Sequence, residues 1–146
     1  MKKLIILAAV AVVATCSQAA SFRWNSSGVK DAQGKDPYSG TATLYAIISG
    51  TATEVSSASM SGGAVANTTF TDNRLVAGDT YEFYYTMADS AGNTFKSDTR
   101  TARAQQTATV PLGFGAGGTW TVAPEPTSGL LMLLGMAGLA LRRRRA

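Results

Sequence analysis

Side chains able to carry chemistry are few in this chain of 146 residues, which has no histidine and a single cysteine, Cys16. Without an imidazole there is no Ser-His-Asp triad, and the usual zinc ligand sets cannot be assembled. What remains is carboxylate chemistry. Asp79 with Glu82, and Asp31 with Asp36, stand close enough in sequence to approach one another and share general acid and base work. As turn and edge residues they read first as solvated charges. Asp31-Ala32-Gln33-Gly34-Lys35-Asp36 has the outline of a calcium loop, but Lys35 and the missing alternation of oxygen ligands count against it. No catalytic, cofactor-binding or metal site is therefore assigned. Tyr38, Tyr45, Tyr81, Tyr84 and Tyr85, with Trp24, could offer a surface on which sugar rings stack. The plainer reading makes Tyr81 and Tyr85 core residues and leaves the others as ordinary strand surface. Asn25-Ser26-Ser27 and Asn67-Thr68-Thr69 match the glycosylation pattern by residue type, a match that arises readily by chance in a Ser/Thr-rich chain.

The most specific pattern is one that would be acted upon. Pro124 and Pro126 lack backbone donors and disfavour helix in the residues before them, so Glu125 belongs to an extended, accessible segment of the kind a peptidase needs. Residues 128–141 follow without a charge, and then Arg142, Arg143, Arg144 and Arg145 precede the last alanine. Fourteen residues at about 1.5 Å each cover about 21 Å, short of the ~30 Å hydrocarbon core. Arginine stems that reach back to the interface lengthen the effective span, and their bunching fixes the C-terminus on the cytoplasmic side. The expectation is a short C-terminal transmembrane helix with a basic membrane stop. The alternative is a helix docked on a soluble domain.

Pro124-Glu125-Pro126, the Gly/Leu-rich stretch and the arginine cluster together resemble the PEP-CTERM sorting tail, over roughly residues 122–146. That resemblance implies a bacterial envelope protein, held in the inner membrane by its tail until a membrane peptidase, exosortase, processes it near the Pro-Glu-Pro motif. It implies export, then residence at the cell surface or in the extracellular matrix.

The other end carries a second label. Lys2 and Lys3, an apolar run over residues 4–14 and a small, polar Thr15-Cys16-Ser17-Gln18-Ala19 form the three parts of a secretory signal peptide. Cleavage between Ala19 and Ala20 is expected. A lipoprotein signal, with Cys16 lipid-modified, is the alternative, and Thr15 directly before the cysteine fits it poorly.

Setting both labels aside changes the electrostatics. The chain carries +4 overall. Its body keeps seven basic residues (Arg23, Lys30, Lys35, Arg74, Lys96, Arg100, Arg103). Against them stand eight acidic ones (Asp31, Asp36, Glu54, Asp72, Asp79, Glu82, Asp89, Asp98), so the body's net charge is −1. The basicity belongs to the labels, and the charge argument for nucleic-acid binding disappears with them. If Cys16 leaves with the signal peptide, no disulfide can staple the body.

Period-two alternation runs through that body. Thr80 to Ala88 places Tyr81, Phe83, Tyr85 and Met87 on one face and Thr80, Glu82, Tyr84 and Thr86 on the other. Asp89-Ser90-Ala91-Gly92-Asn93 supplies turn chemistry, and residues 94–101 form its partner strand, with Phe95 facing away from Lys96, Asp98 and Arg100. Residues 40–49 alternate in the same way through Ala42, Leu44, Ala46 and Ile48. Weaker strands are expected at 22–24, 64–71 and 106–112, with loops over 25–39 and 56–63. The fold class is all-β: a small antiparallel β-sandwich of about six strands, flanked by an N-terminal signal helix and the C-terminal transmembrane helix. The domain plan is a signal peptide at 1–19, the β domain at 20–112, a flexible Gly-rich linker at 113–121 and the sorting segment at 122–146.

Leu75-Val76-Ala77-Gly78-Asp79-Thr80-Tyr81, continuing through Asp89 to Asn93, resembles the late strands of fibronectin type III and related immunoglobulin-like domains. In such folds a tyrosine near the start of a late strand bonds through its hydroxyl to backbone a few residues upstream, a role that would fall to Tyr81. Two functions from different classes are consistent with the whole. One is a non-catalytic structural or adhesive envelope protein, associated with exopolysaccharide. The other is a small exported enzyme that uses carboxylates on glycans. The display function fits a tethered domain better.

Overall fold

The computed structural model describes residues 18–124 and 126–143. The signal segment through residue 17, with Cys16, lies outside them, as do Glu125, Arg144 and Arg145.

Among the described residues nine strands and one helix follow in chain order. β1 (Ala19–Ser26) turns Ala20, Phe22, Trp24 and Ser26 inward, which is what alternation in an eight-residue strand dictates. β2 (Gly40–Ile48) contributes Ala42, Leu44 and Ala46, and β5 (Thr80–Ala88) contributes Tyr81, Phe83, Tyr85 and Met87, all buried. Between them β3 (Thr51–Ser61) and β4 (Ala64–Val76) form a hairpin whose turn is Gly62-Gly63, with φ of 58° and 75°. Both values lie in the left-handed region a two-residue hairpin requires. Then come β6 (Thr94–Ser97), β7 (Arg100–Arg103), β8 (Val110–Phe114) and β9 (Gly118–Thr121).

The strands lie in the order β8-β1-β4-β3-β2-β5-β6-β9, with β7 also on β5. β3 and β4 pair only beside their turn, at Met60 with Val65 and Ser61 with Ala64. There the curled sheet passes from one layer, β8-β1-β4, to the other, β3-β2-β5-β6-β9. Aromatic rings join the layers: Phe22 meets Phe83 at 5.0 Å between centroids, Trp24 meets Tyr85 at 5.8 Å, and Phe114 stands edge-on to Tyr85 at 5.2 Å. Such offset and edge-on pairs are the favoured geometries for buried rings. The expected all-β, sandwich-like fold is therefore what the chain adopts, and Tyr81 does pin a corner: its hydroxyl accepts the Val76 backbone N–H at 2.9 Å.

Several expectations need correction. The strand count is nine, not about six, and β1 pairs with β8 in parallel, so the sandwich is not purely antiparallel. The loop expected at 56–63 is mostly β3: Ser57, Ser59 and Ser61 are exposed, and the inner face offers only Ser56, Ala58 and Met60, so little apolar contrast announces it. The single strand expected over 94–101 breaks in two. Ser97 leaves the ladder with β5 to accept the Tyr85 N–H with its hydroxyl and to donate to the Asp98 carbonyl, and pairing with β5 resumes in β7 at Arg100. Tyr38 and Trp24 are core residues, not strand surface. The supposed flexible linker at 113–121 instead completes β8 and forms β9, whose partner is β6.

Candidate sorting site at the root of the tail

β9 is a short edge strand with two anchors. Its residues Thr119, Trp120 and Thr121 lie opposite Lys96, Phe95 and Thr94. Gly118 allows the close approach: at φ 148° it lies where a Cβ would come within 2.6 Å of the Lys96 carbonyl oxygen. The Trp120 ring packs against Phe95 at 5.4 Å and Tyr38 at 5.6 Å, and its indole N–H donates to the Lys30 carbonyl at 3.0 Å. Tyr38 is itself tied, donating its hydroxyl to the Ala88 carbonyl at 2.7 Å. Burial, with Asp89 nearby, pushes its phenol up.

The second anchor lies past the strand. The Asp89-to-Asn93 turn is built on Asp89, whose carboxylate accepts the N–H groups of Ala91 and Asn93 and the Asn93 side-chain amide. That amide, and then the backbone donors, holds the Asp89 carboxyl below its ordinary value. Asn93 is buried, and its free amide oxygen accepts the Ala123 N–H at 2.9 Å. The chain is thus fixed to the body up to the residue before Pro124.

Beyond, α1 (Pro126–Arg143) opens on a proline, which suits the first helical position because the missing N–H would have no partner there. Eighteen residues span about 27 Å, but the apolar part, 130–141, spans only about 18 Å. Among the described residues no helix is long and apolar enough to cross a membrane. The expected transmembrane helix is corrected on that point: Pro126, Thr127, Ser128 and Gly129 at one end and the arginines at the other shorten the apolar section. Yet none of the described residues covers that section. Leu131, Met132, Leu133, Leu134, Met136, Leu139 and Leu141 are each 64–73 % exposed, and Arg142 is exposed.

The tail is what known proteins share with this chain. Residues 122–145 match the family model of the PEP-CTERM protein-sorting motif. Neither the curated proteins nor the solved structures gave a match. The PEP-CTERM motif marks an exported protein sorted through its C-terminus. Its triplet Pro124, Glu125 and Pro126 stands between the Ala123 anchor and the first turn of α1.

The other candidate residues are placed elsewhere. Ala19 and Ala20 begin β1, and Ala20 is fully buried, so cleavage between them leaves the inward-facing residues of the strand in the mature chain. Both Asp31 oxygens are used by the chain's own turn: one accepts the Lys35 N–H and the other the Asp36 N–H, and these bonds, led by that from Lys35, hold its carboxyl below the ordinary value. Among the described residues no three acidic side chains converge on a metal-sized site. Asp79 is engaged through its backbone, its N–H donating to the Val76 carbonyl and its carbonyl accepting from Ala104. Tyr45 and Tyr84 stack at 5.5 Å, and Lys96 sits over the Tyr84 ring at 4.2 Å. The faces a sugar would use on Tyr84 are thereby taken by neighbours. Asn25 and Asn67, from the two glycosylation-like triplets, bond to each other across β1 and β4 at 2.7 Å. Alternation missed Asn93 and Trp120. Thr119-Trp120-Thr121 has strand character that the surrounding glycines masked, and Asn93 reads from sequence only as a turn residue.

Proposed function

We propose that the protein is an exported bacterial envelope protein whose precursor is held at the inner membrane through its PEP-CTERM tail and processed there by an exosortase-type peptidase. The β domain then serves, without catalysis, as a structural or adhesive module at the cell surface or in the exopolysaccharide matrix. The observation that carries the reading is the pairing of a matched sorting motif with a helix whose apolar side chains are covered by none of the described residues. Apolar surface of that extent is costly in water and calls for a lipid or protein environment. The non-catalytic part is supported by how the carboxylates are used: Asp31 and Asp89 accept hydrogen bonds from their own turns, and Asp72 accepts from Arg74 within β4. In a host encoding an exosortase, the protein should appear in the surface or matrix fraction, and deletion of the peptidase should leave the full-length form with the membranes. Purified domain should co-sediment saturably with matrix polysaccharide and leave it unhydrolysed. Turnover of glycan that disappears on removing a carboxylate would replace this reading with the enzymatic one.

A further inference from the structure

The body ends and the helix begins almost at the same place. Ala123 is bonded to Asn93, Pro126 opens α1, and only Pro124 and Glu125 stand between them. Two residues reach at most about 7 Å. One general way for a protein to bind an extended peptide is to add it as a strand, through main-chain hydrogen bonds along several residues. On the upstream side of the motif that backbone is already committed, because Thr119 to Thr121 lie against β6 and the Ala123 N–H belongs to Asn93.

We propose that β9 is a releasable strap, and that detaching it, with Trp120 leaving Tyr38 and Phe95 and Ala123 leaving Asn93, sets the rate at which the peptidase gains the motif. The proposal rests on the reading that the tail is processed. Asn93 and Trp120 are positioning residues in this scheme. They touch neither peptidase nor scissile bond; they set how often the segment is free. β9 suits the role, since it is a four-residue edge strand held by one ladder, one ring and two further hydrogen bonds, and such elements open at far lower cost than a core. When opening is fast relative to cutting, the cutting rate follows the population of the open form.

Pulse-chase of the full-length precursor in an exosortase-encoding host tests this. A flexible Gly-Ser spacer inserted between Ala123 and Pro124 leaves every strap contact in place and should speed processing by roughly tenfold, because it supplies reach without opening. Trp120→Ala should speed processing of the original precursor and add nothing in the spacer background, a dependence that general destabilisation would not show. Equal rates with and without the spacer, or slower processing of Trp120→Ala, would overturn the strap while leaving the sorting reading intact. Failure of every form, spacer included, to lose its tail would overturn both.

Discussion

Along β5 every second side chain is apolar, and Tyr81, Phe83, Tyr85 and Met87 are all buried. Along α1 the apolar residues are as dense, and Leu131, Leu133, Leu134 and Leu139 stay about two-thirds exposed. The difference is one of completion. Alternation gives strands such as β1, β2 and β5 one face to bury against a second layer of the same chain, whereas the tail's residues are apolar on all sides and find no second layer among the described residues. A helix apolar all round belongs in a core or in lipid. The body packs against itself, and the tail needs something the rest of the described residues do not supply.

The comparison breaks most visibly by removing the tail. A chain covering 20–123 should keep the β-type circular dichroism and the melting temperature of the longer protein, while losing all membrane retention on fractionation. A collapsed melt would mean that the helix belongs to the fold after all.

Within the body, truncating inward residues should cost what core aromatics cost. Trp24→Ala and Tyr81→Ala should each lose about 3–5 kcal/mol in denaturant unfolding. Tyr84→Ala, which removes a cross-strand pair with Tyr45 on the outer face, should lose only about 0.2–1 kcal/mol. Equal losses at Tyr81 and Tyr84 would refute the assigned faces.

Smaller still is the acid response of the turn beneath the strap. Hydrogen bonds, first from the Asn93 amide, hold the Asp89 carboxyl below its ordinary value of 3.8. A carboxylate depressed in the folded state stabilises fully above its unfolded value and loses that contribution as pH falls through the folded one. The melting temperature of 20–123 should therefore drop as pH falls below about 4, and Asp89→Asn should make that drop shallower. The least effect is expected at Tyr85, whose buried hydroxyl makes no well-formed hydrogen bond among the described residues, although Ser26 lies beside it. Tyr85→Phe removes an unsatisfied group and should leave stability unchanged or raise it by about 1 kcal/mol.

Much of the body could be read from sequence because alternation is a local signal. The inward faces of β2 and β5 follow from residue order alone, and the corner at Tyr81 from the resemblance to fibronectin type III domains. β3 could not be read, since Ser56, Ser57, Ser59 and Ser61 offer no apolar contrast. Nor could β9, whose place in the sheet depends on Trp120 finding Phe95 and Tyr38, partners 25 and 82 residues away by the chain numbering. Of the sorting site, Pro124, Glu125, Pro126 and the arginines were legible as a motif. Asn93 was not, because its role appears only when Ala123 lies beside it.

The central claim is that the tail is a signal to be removed and the body the product. Intact-mass spectrometry of the surface or matrix form, isolated from a host with exosortase, tests it directly. The account predicts an N-terminus at Ala20 and a C-terminus close to Pro124, Glu125, Pro126 or Thr127, with residues 130–146 absent. A mature form that still carries Arg142 to Arg145 would contradict it and leave the tail a simple anchor.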